Sequence, residues 1–151
     1  MSVRRLDHVS VSVADLARSQ HFYHGLLALP VLGTGEEEST ALARALKVPR
    51  VRFRFADLDI GERGILELLE YLEPRPGRPD RRPFDRGLAH FGLTVDDLNS
   101  TIARLKGAGV EIWFGPELLE GPAWWAGART AYATDPDGVT LEIIERPNVE
   151  P

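Results

Sequence analysis

The 151-residue chain contains no cysteine. Disulfides, a thiolate nucleophile and a cysteine-ligated zinc site are therefore excluded, and any metal must be held by histidine and carboxylate. A long apolar run is also missing, so no segment reads as a membrane span or a signal-peptide core. An excess of positive charge is absent too. The formal net charge is −5, so no global basic field draws in nucleic acid or an anionic membrane. The expected setting is the cytoplasm, and the expected ligand is a small molecule. The length suits a single domain with a sizeable core.

What the chain does have is an internal repeat. The stretch L-D-H-V-S-V-S-V-A-D-L from Leu6 to Leu16 returns as L-A-H-F-G-L-T-V-D-D-L from Leu88 to Leu98. At one offset Leu6, His8, Val13, Asp15 and Leu16 recur as Leu88, His90, Val95, Asp97 and Leu98. Later in each half, Leu66-Glu67-Leu68-Leu69-Glu70 recurs as Leu141-Glu142-Ile143-Ile144-Glu145. Each half thus carries one His on an early strand and one Glu on a late strand.

The flanking patterns give each half the order strand, helix, three strands. Residues 6–13 alternate, with Val9, Val11 and Val13 on one face and His8, Ser10 and Ser12 on the other. Asp15 reads as a helix N-cap, followed by the stripe Leu16, Ser19, Phe22, Tyr23, Leu26 and Leu27. A short strand begins at Val31-Leu32. Residues 33–49 are Gly-rich, then acidic, then helix-like. They lack a counterpart in the second half, and read either as an insertion over a cleft or as a solvated surface helix. Strands follow at 51–58, with Phe53 and Phe55 in the core, and at 65–72, with a hairpin turn at 61–64.

The run P-R-P-G-R-P-D-R-R-P-F-D-R-G ends the first module. Its four prolines and five arginines make a stiff, solvated linker. The expected organisation is one domain over 1–151, with module 1 at 3–73, a linker at 74–87 and module 2 at 88–147. In module 2, strands are expected at 88–95, 110–114, 131–134 and 139–145. A helix should be capped by Asp96 or Asp97 and stopped at Gly107 and Gly109. A loop at 115–128 holds Trp124 and Trp125. A tight turn spans Asp135-Pro136-Asp137-Gly138.

A single strand histidine is usually structural. Two at equivalent repeat positions, both on polar faces, are a different matter. Glu67 lies between Ile65 and Leu69 on its face, and Glu142 between Thr140 and Ile144. A carboxylate among apolar neighbours is costly to bury unless it is paired or binds a cation. His8, Glu67, His90 and Glu142 are therefore expected to hold one divalent ion among Zn, Ni, Co, Mn or Fe. The competing reading is two buried His–Glu hydrogen bonds in a symmetric core. His21 and His24 fall outside the repeat and read as surface or helix-end residues.

The segments D-H-V-S-V-S-V, F-Y-H-G-L-L-A-L, I-L-E-L-L-E, R-G-L-A-H-F-G-L-T-V-D-D and D-P-D-G-V-T-L-E-I together resemble the vicinal oxygen chelate superfamily of glyoxalases, bleomycin resistance proteins and extradiol dioxygenases. The resemblance implies an α+β fold. Two βαβββ modules in pseudo-twofold pairing would form a cup-shaped mixed sheet around a metal held by the four residues. It also implies that the metal chelates adjacent substrate oxygens and stabilises an enolate. The complete His/Glu/His/Glu set resembles the glyoxalase I and epimerase branch, with Glu142 as principal base and Glu67 as its partner, or the reverse.

Arg86 resembles a glutathione-binding arginine of glyoxalase I, whereas Ser12 and Tyr71 depart from that enzyme's further contacts. Arg52, Arg54 and Arg86 are candidates for receiving an anionic substrate. Trp124 and Trp125 are candidate walls of an apolar pocket. His8, His90, Glu142 and Tyr132 also resemble the dioxygenase triad and its tyrosine, although Arg75 and Ala123 stand where further dioxygenase histidines belong. Retention of all four ligands argues against a non-catalytic resistance-type binder, and Glu67 argues against a three-ligand fosfomycin-type transferase. A homodimer is the expected assembly.

Overall fold

The computed structural model describes residues 5–77, 87–119 and 125–147. The chain divides into two compact units, Met1–Pro79 and Asp80–Pro151. Their boundary falls inside the proline- and arginine-rich run.

The first unit opens with strand β1, His8–Ser12. Alternation sends Val11 and Val13 inward and leaves His8, Ser10 and Ser12 exposed, as the pattern requires. The Asp15 side chain then caps helix α1, Leu16–Gln20, by accepting from the Arg18 amide. The helix continues as a π-helix over His21–Leu26. Leu16, Ser19, Phe22 and Tyr23 form its buried stripe. Leu26 and Leu27 are only half-buried at its end. His21 and His24 are exposed, and the His24 Nδ1 lies 2.9 Å from the Leu29 carbonyl oxygen.

Strand β2 is longer than the sequence pattern suggested. It covers Val31–Glu38 and pairs antiparallel with β3, Arg52–Asp59. The expected insertion at 33–49 is therefore corrected: its first part is an outer strand of the sheet. Glycine is needed at Gly35, where an added Cβ would lie 2.8 Å from the Phe55 ring. The glutamates are tolerated because β2 is an edge strand, where charge is common. Glu36 accepts from Arg52 Nε at 2.7 Å and Arg54 Nε at 3.3 Å, and Glu38 from Arg50 at 2.5 Å. These guanidinium groups hold both carboxyls below the usual carboxylate range.

Among the described residues, only helix α2, Thr40–Leu46, is extra to the repeat. It is not a fully solvated helix. Ala43 is buried against Val51, Phe53 and Leu69, with Leu42, Val48, Phe55 and Tyr71 around them. Phe53 and Leu69 share the sheet face of Glu67, so α2 covers part of that face. Strand β4, Ile65–Glu73, follows the Gly61–Gly64 turn and sits inside the sheet. The order is β1-β4-β3-β2, with β1 parallel to β4. Helix α1 packs against β3 and β4, and Leu66, Leu68, Ala56 and Leu58 are fully buried.

Among its described residues, the second unit repeats this plan without the added helix. Strand β5 is Phe91–Thr94. Asp97, rather than Asp96, caps helix α3, Leu98–Gly107, and Leu98, Thr101, Ile102 and Leu105 are buried. Gly109 leaves the helix at φ +81°. Strand β6, Ile112–Leu118, runs on through Gly115 and Pro116, where a loop was expected. It is an edge strand, and proline costs such a strand little because the missing N–H faces away from the ladder. Its pairing shifts register on both sides of Phe114. Strands β7, Arg129–Thr134, and β8, Thr140–Glu145, complete the order β5-β8-β7-β6. The turn between them is held by Asp135 Oδ1, which accepts from the amides of Asp137 at 2.9 Å and Val139 at 2.7 Å. Among the described residues, no helix is long and apolar enough to cross a membrane.

Candidate metal and substrate site

Each unit carries its His and Glu at the same place in its sheet. In the first, β1 lies parallel to β4 with Ser10 opposite Glu67, and His8 is two residues back. In the second, β5 lies parallel to β8 with Gly92 opposite Glu142, and His90 is two residues back. A two-residue step keeps each His on the same face as the Glu of the neighbouring strand. Even the exposures match: the His8 side chain is 54% exposed and that of His90 is 53%.

The environments differ. In the second unit the Glu142 side chain is only 12% exposed, and its Oε2 lies 3.6 Å from His90 Nε2. The buried Thr130 hydroxyl donates to Glu142 Oε1 at 3.0 Å and contacts the Ile143 carbonyl oxygen at 3.3 Å. Tyr132 is the cross-strand partner of Glu142. Burial raises the Tyr132 phenol above its usual range, and the Glu142 charge and a hydrogen bond to that carboxylate raise it further. The Tyr132 ring stands edge-on to His90 at 6.0 Å.

In the first unit Ser10 donates to Glu67 Oε2. His8 Nδ1 lies 3.3 Å from Asp7 Oδ1, leaving Nε2 as the nitrogen for another partner. A carboxylate at the far ring nitrogen is the arrangement that orients metal-binding imidazoles. Asp57 occupies the rung beside Glu67. Burial raises its carboxyl above the ordinary range, the nearby Glu67 raises it further, and His8 opposes them. Burial and then Glu67 also raise the Tyr71 phenol.

The donor chemistry fits a divalent cation. Imidazole nitrogen with carboxylate oxygen suits first-row metals. The His90–Glu142 separation is too long for a hydrogen bond. It is close to the roughly 3.0–3.4 Å expected between neighbouring ligand atoms that are each about 2.1 Å from one ion. In the second unit the structure brings His90 and Glu142 together, and in the first the register places His8 on the sheet face of Glu67. Among the described residues, no group of three or more His, Asp or Glu forms a metal cluster.

Other expected contacts fare unevenly. Arg86 and Trp124 lie outside the described residues. Trp125 has Arg146 over its ring, 4.6 Å from the centroid, so one face of the indole is already engaged. Arg52 and Arg54 are corrected as anion receptors. By alternation they lie on the sheet face opposite Glu67, and they pair with Glu36 and Glu70. The sequence reading missed Asp57, Thr130, Trp113 and Phe114. Two of them, Asp57 and Phe114, are the rung neighbours of Glu67 and Tyr132, a relation that only strand pairing reveals. No cavity was expected beside α2, where about 410 Å³ opens between Glu38, Ala43, Arg44, Val48, Arg50 and Val51.

A model of the Glyoxalase/Bleomycin resistance protein/Dioxygenase superfamily matches residues 5–143. The chain belongs to this superfamily. A probable chloroplastic lactoylglutathione lyase of Arabidopsis thaliana is 30% identical over 149 residues, covering 98% of this chain and 38% of the relative. The chain therefore spans well under half of that relative's length. A 2-epi-5-epi-valiolone epimerase from Actinomyces is 30% identical over 145 residues, with 93% of this chain and 78% of the relative covered. Among solved structures, a glyoxalase family protein from Bacillus cereus superposes with a TM-score of 0.83 at 20% identity, covering 96% of this chain and 95% of that one. That likeness concerns the fold, which is α+β with two four-stranded mixed sheets.

Proposed function

We propose that the chain is a metal-dependent enzyme that moves a proton on a carbon next to a carbonyl, as a glyoxalase I-like lyase or an epimerase. His8, Glu67, His90 and Glu142 would hold one divalent ion, supplied within one chain or by two chains of a homodimer. The observation that carries this reading is the identical register of the two His–Glu pairs. Lyase and epimerase relatives support it.

A cation at those residues would act as a Lewis acid toward the adjacent oxygens of the substrate. Glu142 takes the role of base and removes the proton at the neighbouring carbon. Thr130 and Tyr132 fix its carboxylate by hydrogen bonds and hold it in a largely desolvated place. Glu142 then carries that proton and gives it back to the substrate, while Glu67, steadied by Ser10, takes the same role toward the opposite face. His90 and His8 would serve as nitrogen ligands of the cation.

Tyr132, lying against both His90 and Glu142, favours one second reading, a ring-cleaving dioxygenase that uses those residues with His8. The two readings separate cleanly in experiment. Metal content of the purified protein comes first. Incubation in heavy water with methylglyoxal and thiols, or with epimerisable acyl thioesters, should then show deuterium at the carbon next to the carbonyl. Glu142→Gln should slow that uptake by roughly 10²–10⁴-fold, the usual contribution of a positioned base. Dioxygen consumption with catechols in the ferrous protein, without deuterium uptake from any carbonyl compound, would replace the first reading with the second.

A further inference from the structure

The second unit presents an aromatic surface directly beside Glu142. Phe114, Tyr132, Glu142 and Gly92 lie on one rung across β6, β7, β8 and β5. The Trp113 ring lies 5.0 Å from that of Tyr132, and the Phe114 ring 5.8 Å from it. Trp113 and Phe114 are each 46% exposed. Two large aromatic side chains open to solvent around a third are unusual, since scattered single apolar residues are the norm and clustered ones mark recognition sites. Gly92 adds no side chain of its own on the other flank of Glu142, where the Ile144 Cδ1 lies 3.0 Å from the place a Cβ would take.

Charge decides what this surface suits. The described cations of the second unit are elsewhere. Arg129 pairs with Glu145 and Asn99. Arg146 lies over Trp125. Arg104 and Lys106 belong to the last turn of α3. Arg81, Arg82 and Arg86 lie outside the described residues. No described Lys or Arg stands on the rung of Glu142, so no described side chain there would compensate a carboxylate or phosphate carried by the substrate.

We infer that Trp113, Phe114 and Tyr132 form a stacking platform for a flat, uncharged aromatic ring attached to the carbon chain that carries the substrate's adjacent oxygens. Aromatic rings gain most from offset or edge-to-face contact, and this platform offers both open faces and edges. The inference rests on the reading of His90 and Glu142 as the reacting end, and it narrows the substrate class. Aryl-substituted hydroxyketones or dicarbonyls would fit, and glutathione conjugates would not.

The test is a ligand-observed NMR titration of the zinc-loaded protein with a matched pair, 2-hydroxyacetophenone and hydroxyacetone, alongside glutathione. The aryl ketone should bind at least tenfold more tightly than hydroxyacetone, and glutathione more weakly than the aryl ketone. Trp113→Ala and Phe114→Ala should each cut the aryl preference by threefold or more and leave hydroxyacetone binding unchanged. Trp113→Phe should largely restore the preference. Equal binding of the two ketones would overturn the inference, as would a preference that survives both alanine variants, or tight glutathione binding. Conversion of a dimer to a monomer by the alanine variants, with the ketone preference intact, would assign the patch to self-association instead. Binding is read without turnover, so a missing deuterium exchange would sink the proposed reaction and not this platform.

Discussion

At the residue scale, the contrast between Glu67 and Glu142 is one of surroundings rather than position. Glu142 is the more enclosed, and Thr130 supplies it with a buried donor. Replacing Thr130 by Val keeps the shape and removes the hydroxyl. Such a loss costs about 1–2 kcal/mol when a buried acceptor is left unpaired. For a chain of this size, thermal denaturation should show a melting temperature lower by roughly 2–8 °C. Deuterium exchange should weaken with it, because the carboxylate loses its fixed direction. Asp97 illustrates a different effect. The Ser100 amide, then the Ser100 hydroxyl, hold its carboxyl below its ordinary value of 3.8, with smaller help from the Asn99 amide and Arg129. A depressed folded value means that the ionised cap stabilises fully above the ordinary value and loses its effect as pH falls through the folded one. The melting-temperature gap between the natural protein and Asp97→Asn should therefore be widest near neutrality and close below about pH 4.

At the element scale, β6 shows where strand chemistry overrides turn chemistry. Gly115 has φ +85°, and an added Cβ would lie 2.4 Å from the Thr130 carbonyl oxygen and 2.8 Å from the Ala131 Cα. Backbone atoms in a paired strand cannot yield that far. Gly115→Ala should destabilise by about 2–4 kcal/mol, read by denaturant midpoint at unchanged slope. This element also marks the limit of what the sequence makes legible. The repeat, the caps at Asp15 and Asp97, and the alternation around His8 and His90 all rest on local periodicity, and all are found in the structure. The strands at Val31–Glu38 and Ile112–Leu118 were shortened because Gly33, Gly35, Gly115 and Pro116 read as breakers. What keeps them extended is tertiary: the Phe55 ring over Gly35, the arginines of β3 facing Glu36 and Glu38, and the lack of any ladder donor required of Pro116. Asp57 and Thr130 were hidden for a similar reason, since only cross-strand pairing brings them beside the glutamates.

At the scale of the whole molecule, the proposed ion links stability to ligand supply. A cation that binds only the folded chain raises stability by about 2.7 kcal/mol at a hundred times its dissociation constant. Removing metal with a chelator should lower the melting temperature by roughly 5–10 °C, and adding zinc back should restore it. Glu67→Gln and Glu142→Gln should each blunt that restoration. An unchanged melting curve with and without metal would argue against the shared site. The rung beside each glutamate carries a longer-term consequence. One half of the duplicated unit places Asp57 there and the other Tyr132. The ladder sets where the imidazole and carboxylate stand, while the adjoining position differs between the two halves. Descendants of such a duplication can therefore acquire new selectivities by changing that one neighbour, without rebuilding the reactive groups.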